Sequence, residues 1–168
     1  MTVNTDEIVL AGGCFWGMEE LFRQHPGVLD TECGYTGGEN DRPSYKNHPG
    51  HAEALKIVFD PTQTGLKELL DFFFRMHDPT YLNRQGFDIG SSYRSAIFFR
   101  DEAQKQIARE MIALVEKSGV WKSPIVTTLE PLTTFWQAED YHQDYLQKNP
   151  NGYTCHFVRP MKSFLEQS

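Results

Sequence analysis

The stretch EIVLAGGCFWG, residues 7–17, decides the reading of the fold. Apolar residues Ile8 to Ala11 run into the paired glycines Gly12 and Gly13, as a short buried strand runs into a turn. From Trp16 to Gln24 the pattern is helical, and HPG (25–27) stops it. Cys14 therefore sits where a strand hands over to a helix, with two large aromatics, Phe15 and Trp16, directly after it. Working outward, VLDTECGYTGG (28–38) reads as a second strand and ENDRPSYKNHPG (39–50) as a turn-rich loop. HAEALKIVFD (51–60) reads as a third strand, and Leu66, Leu69, Leu70, Phe73 and Phe74 recur at helical spacing over 66–77. A long polar loop, HDPTYLNRQGFDIGSS (77–92), leads to a fourth strand, YRSAIFF (93–99). The first six elements run β-α-β-β-α-β, the split-βαβ or ferredoxin-like order, which predicts an α/β plait: a mixed sheet with helices packed on it. Asp101 and Gln104 predict a capping box opening a helix to Lys117, with Gly119 as its stop. PIVTTLE (124–130) reads as a fifth strand, and AEDYHQDYLQKN (138–149) as a short helix stopped by Pro150. GYTCHFVRPMKSFLEQS (152–168) has no clear period and reads as an irregular tail on the surface.

Bulk properties narrow the function. A chain of 168 residues with 39% hydrophobic residues, including 12 Phe and 7 Tyr, can bury one core and reads as a single domain, 1–168. Its net charge of -7, with no Lys/Arg cluster, argues against nucleic acid or an anionic membrane as partner. No apolar run approaches the ~20 residues that span a bilayer. The acidic N-terminus lacks the basic flank of a signal peptide. Three cysteines are an odd number for a disulfide-stapled secreted domain, so the expected location is the reducing cytoplasm, where a disulfide is transient and catalytic.

Cys14 is the first candidate for chemistry. A helix N-terminus offers free N–H groups and a positive dipole end, both of which favour thiolate and so nucleophilic attack. The alternative is a small buried apolar residue. Cys33 lies in the second strand and reads as core. Cys155 lies in the tail, where a mobile thiol suits thiol–disulfide exchange. Glu53 reads as a carboxylate at the start of the third strand; Tyr45, Tyr93 and Asp88 lie in or beside the two long loops; His51, His77 and His142 are possible bases. No zinc-ligand spacing, phosphate loop or dinucleotide fingerprint occurs, so no metal and no cofactor is expected. Two other readings stand beside a redox enzyme: a cysteine hydrolase in which a histidine activates Cys14, and a non-catalytic metal-binding module using Cys14, Cys33, Cys155 and His156.

Seven segments occur together in order: GCFWG (13–17), GYTGG (34–38), PSY (43–45), GHAEA (50–54), HDP (77–79), RQGFDIGSSYRSAIF (84–98) and HQDYLQKNPNGY (142–153). In this order the chain resembles the A-type peptide-methionine sulfoxide reductases over most of its length, from about residue 8 to 159. The resemblance implies that Cys14 is the nucleophile, that Phe15 and Trp16 hold the substrate's S-methyl group, and that Glu53, Tyr45 and Tyr93 meet the sulfoxide oxygen, with Asp88 nearby. It implies reduction of the S epimer, in peptides or free, through a cysteine sulfenic acid, and re-reduction by thioredoxin. Cys155 follows NPNGY, as the family's C-terminal cysteine does, and is the expected resolving thiol; Cys33, directly before GYTGG, matches no family role and stands as the alternative, as direct partner or as relay. The protein is expected to be a monomer.

Overall fold

In the computed structural model, which describes residues 4–166, β1 (Asp6–Gly12) runs into Gly13 and α1 (Phe15–Arg23) begins two residues later. Gly13 has φ +101, and a Cβ there would meet the Gln85 side chain at 2.7 Å. Both facts demand glycine, and together they make the sharp bend that presents Cys14. There follow β2 (Val28–Thr36), β3 (Ala52–Phe59) and α2 (Leu66–Met76). A two-residue hairpin, β4 (Arg84–Gln85) and β5 (Asp88–Ile89), interrupts the polar loop. Then come β6 (Ser95–Phe99), α3 (Glu102–Ser118), β7 (Thr128–Pro131), β8 (Trp136–Gln137) and α4 (Tyr145–Lys148).

Six strands form one sheet in the order β7-β6-β1-β3-β2-β8. Its middle four, β6-β1-β3-β2, pair antiparallel in the split-βαβ order predicted from the sequence. β7 lies parallel on the β6 edge, which makes the sheet mixed. One face carries the main core: Phe15, Met18 and Phe22 of α1 and Leu69, Leu70, Phe73 and Phe74 of α2 pack onto Ile8, Leu10, Leu55 and Ile57. Each such large apolar side chain stabilises the fold by roughly 1.5–3 kcal/mol when fully buried. A smaller cluster of Val9, Ala11, Ala52, Ala54, Ala96 and Phe98 lies on the other face. Glu53 is flanked in β3 by two of those small residues, Ala52 and Ala54. Among the described residues no helix is long and apolar enough to cross a membrane.

Four local readings change. The capping box is half made: Asp101 Oδ1 accepts from Gln104 N at 2.9 Å, but the Gln104 amide reaches away, to Arg100 N and the Glu7 carbonyl, and ties α3 to β1. The fourth strand starts at Ser95, because Ser91–Tyr93 forms a 3₁₀ turn. The helix expected over 138–149 is broken into a 3₁₀ turn (Asp140–His142) and the single turn α4, with Asp144 between them at φ 56. Tertiary hydrogen bonds break it: the Gln143 amide pairs with both N–H and C=O of Cys33, at 2.8 Å each, and Asp144 N–H donates to Glu19 at 2.7 Å. Finally, the C-terminal segment is irregular as expected but is not a loose surface tail. Phe164 is fully buried, its N–H donates to Asp71 Oδ1 at 2.6 Å, and Arg159 N–H donates to the Arg75 carbonyl. Residues 167–168 of that segment lie outside the described residues.

Candidate active site

Cys14 is the N-cap of α1 and is 7% exposed. The Trp16 main-chain N–H favours its thiolate, as the helix terminus leads one to expect. Burial and the neighbouring Glu53 charge outweigh that contact, and Cys14 is held as a protonated thiol well above the ordinary range. Burial thus works against the resting thiolate that the helix terminus favours. The same helix terminus sends the Phe15 N–H to Glu53 Oε1 at 3.2 Å.

Glu53 is 1% exposed. Burial pushes its pKa up to about 8, the Asp88 and Glu139 charges push the same way, and the Phe15 N–H opposes them. The carboxyl is thus protonated at neutral pH. Since Oε1 accepts the Phe15 N–H, the proton belongs on Oε2. The outward, solvated carboxylate that is the default for glutamate is not what the sheet makes of this residue. The hydroxyls of Tyr45 and Tyr93 pair with each other, and both are raised, by burial first and then by the Glu53 charge. Asp88, on β5, is raised by burial and accepts from the Tyr153 hydroxyl at 3.1 Å. Cys14, Glu53, Tyr45, Tyr93 and Asp88 therefore share one electrostatic neighbourhood, although they come from five different segments.

Phe15 is fully buried between Tyr35 and His142, with ring centroids 5.7 and 5.0 Å away. Trp16 remains half-buried. It stacks on Tyr145 at 3.8 Å between centroids, and its Nε1–H donates to His142 Nδ1 at 2.9 Å.

The C-terminal segment crosses this site. His156 Nε2 donates to the Gly12 carbonyl at 2.7 Å. Gly17 permits the crossing, because a Cβ there would collide with the Thr154 and His156 side chains. Cys155 consequently lies against the Cys14 main-chain N–H and the Tyr153 hydroxyl, and burial raises its thiol. Cys33 is fully buried behind α1, 3.8 Å from the Phe15 carbonyl and 3.5 Å from Glu19 Oε1. All three thiols are unpaired.

Of the histidines considered as bases, His51 and His77 are committed elsewhere, whereas His142 packs against Phe15, Trp16 and Tyr45 and its Nε2 has no hydrogen-bond partner among the described residues. His51 bonds Gly38 N and the Asn40 carbonyl; His77 bonds the Phe73 carbonyl and Ser95, and burial lowers it to about 3; His142 takes the Trp16 N–H. Among the described residues no group of three or more His, Cys, Asp or Glu is placed to hold a metal ion. Sequence reasoning missed Tyr35, Glu139 and Tyr153, and weighed His156 only as a metal ligand. Glu139 accepts the Tyr35 hydroxyl at 2.8 Å and the Tyr45 N–H at 3.0 Å, and no local pattern around it signals such a partnership.

A thiol at a helix N-terminus, a carboxyl with a raised pKa beside it and paired tyrosine hydroxyls thus stand together on a split-βαβ sheet. The family model described as peptide methionine sulfoxide reductase matches residues 6–167. The chain is 62% identical over 152 residues to the peptide methionine sulfoxide reductase MsrA of Mycolicibacterium gilvum, spanning 90% of each chain. Its fold superposes on reduced Mxr1 from Saccharomyces cerevisiae with a TM-score of 0.85 at 39% identity, covering 95% of this chain and 94% of that one. Mxr1 in complex with Trx2 matches with a TM-score of 0.63 at 28% identity over 95% of both chains. The chain belongs to the peptide methionine sulfoxide reductase family.

Proposed function

We propose that Cys14 is the nucleophile with which this enzyme reduces methionine sulfoxide to methionine, with Glu53 as the acid. The observation that carries the assignment is Glu53 itself: a carboxyl at pKa about 8, buried against the first turn of the helix that Cys14 caps. A sulfoxide sulfur accepts a nucleophile only as its oxygen gains a proton. Cys14 Sγ attacks that sulfur while the Glu53 proton moves to oxygen, and the proton of the Cys14 thiol restores Glu53. Tyr45 and Tyr93 hydroxyls stabilise the charge developing on oxygen. Trp16, with Phe15 behind it, holds the methyl group, and Asp88 borders the pocket. The attack forms an Sγ–S bond with the hydroxyl still on the substrate sulfur; the hydroxyl then passes to Sγ as the S–O and Sγ–S bonds break, methionine leaves with the electron pair, and Cys14 is left as a sulfenic acid.

Cys155 then attacks Cys14 sulfur, a disulfide forms and water leaves. Its place beside the Cys14 main chain supports this role, whereas Cys33 is sealed in the core. An external dithiol, for which the Mxr1–Trx2 complex suggests a thioredoxin, returns both thiols. Overall, methionine sulfoxide and one dithiol give methionine, one disulfide and water. The substrate is the S epimer, free or in a peptide, and the chain works as one catalytic domain in the reducing cytoplasm.

Dithiothreitol-dependent turnover of each methionine sulfoxide epimer tests the reading. One disulfide equivalent formed per methionine, with the S epimer alone consumed, is the expected result. Turnover of a thioester or amide without consumption of dithiol would instead establish the hydrolase.

A further inference from the structure

Tyr45 lies in the loop 39–50, outside any strand or helix, and is 39% exposed. Its chemistry nonetheless needs a fixed hydroxyl. The Tyr45 main-chain N–H donates to Glu139 Oε2 at 3.0 Å, across 94 residues of sequence. The other oxygen, Oε1, accepts the Tyr35 hydroxyl at 2.8 Å. Tyr35 is fully buried in β2 and stands directly opposite Glu53 in the β2–β3 ladder. One carboxylate thus joins a loop to the rung of the sheet that carries the acid. Glu139 is itself anchored, since the Ala138 N–H before it donates to the Cys33 carbonyl at 2.9 Å and the 3₁₀ turn Asp140–His142 follows. These contacts, with the Tyr141 hydroxyl 3.4 Å from Oε2, keep it ionised: burial pulls it upward, but the Tyr45 N–H, its own N–H and the Tyr35 hydroxyl prevail.

We propose that Glu139 is a positioning residue of the reductase site, whose carboxylate ties the Tyr45 main chain to the Tyr35–Glu53 rung and so sets where the Tyr45 hydroxyl stands relative to the acid. This rests on the reading above, in which Tyr45 donates to the sulfoxide oxygen. Glu139 suits the task because a carboxylate is acceptor-only on both oxygens and can serve an N–H and an O–H together. A glutamine is nearly the same size but turns an NH₂ toward one of those two donors. Glu139 also faces Glu53 as a charge, with Asp88 from β5, while the Cys14 thiol at the N-cap of α1, the tyrosine pair 45/93 and Tyr35 from β2 share the same neighbourhood.

The test is single-turnover methionine formation in E139Q, Tyr45→Phe and the double variant, with thermal melts as a folding control. Misplacing a donor by about 1 Å costs on the order of 10²-fold, so E139Q should slow the step by roughly 10- to 100-fold. If Glu139 acts through Tyr45, the double variant should be no slower than the slower single variant. The pH at which the rate breaks should also fall in E139Q, because an anion facing Glu53 has gone; a merely structural role would lower the rate without moving the break. Multiplying effects with an unmoved break, or a wild-type rate in E139Q, would overturn the proposal while leaving the Tyr45 role intact. A wild-type rate in Tyr45→Phe would remove the Tyr45 role and this proposal with it. Should E139Q fail to fold, Tyr35→Phe, which deletes only the hydroxyl that anchors Glu139 to the sheet, replaces it in the same cycle with the same criterion of non-additivity.

Discussion

The protonation of Glu53 is open to a direct kinetic test. With a pKa of about 8, roughly 0.9 of the molecules carry the proton at pH 7. An ordinary glutamate near 4.5 would carry it in only about 0.003 of them, so burial in β3 raises the supply of acid by some 300-fold. The rate of the first methionine, followed by rapid quench without added reductant, should be flat from pH 6 to about 8 and then fall by up to tenfold per pH unit. The rate does not track free thiolate, because Cys14 stays protonated throughout and gives up its proton within the step. Glu53→Gln should be slower by ~10²–10⁴-fold and lose the break. The sign of the stability effect follows from the same shift. Glu53 is raised on folding, so its contribution is fully present below about 4.5 and is lost as pH rises toward about 8. Relative to wild type, Glu53→Gln should therefore gain on the order of a few kcal/mol between pH 5 and pH 9. A wild-type rate that climbs from pH 7 to 9, or a break near 8 that survives in Glu53→Gln, would refute the assignment of the acid.

Three further outcomes test the remaining roles. Cys14→Ser should lose essentially all methionine formation with an unchanged melting temperature, measured by epimer-specific chromatography and circular dichroism. Trp16→Ala should lower kcat/KM by a few kcal/mol in transition-state terms, as expected for removing a large aromatic wall; iodoacetamide labelling should show Cys14 still present and reactive. Cys155→Ser should release one methionine per enzyme but fail to cycle with thioredoxin, while Cys33→Ser keeps both. Peptide mapping of the oxidised protein should give a Cys14–Cys155 link, and a Cys14–Cys33 link would reverse the two assignments.

The sequence by itself determined the split-βαβ order, because strand and helix periods differ and Gly13, Gly27 and Gly119 mark turns that few other residues can make. It also located Cys14 at the β1–α1 junction, and the family resemblance supplied Glu53, Tyr45, Tyr93, Asp88 and Cys155. Local pattern could not show what those groups do to one another. Cys14 reads as a thiolate from its helix terminus, and only the depth of the site reverses that, since desolvation depends on everything packed around the sulfur. Glu53 becomes an acid for the same reason. The segment 138–144 has helical spacing, yet Gln143, Asp144 and Glu139 spend their hydrogen bonds on β2, α1 and the Tyr45 loop instead. Those partners lie about 90–130 residues away along the chain. Periodicity reports how neighbours in sequence share a face; the charge state and aim of each group here are set by neighbours in space.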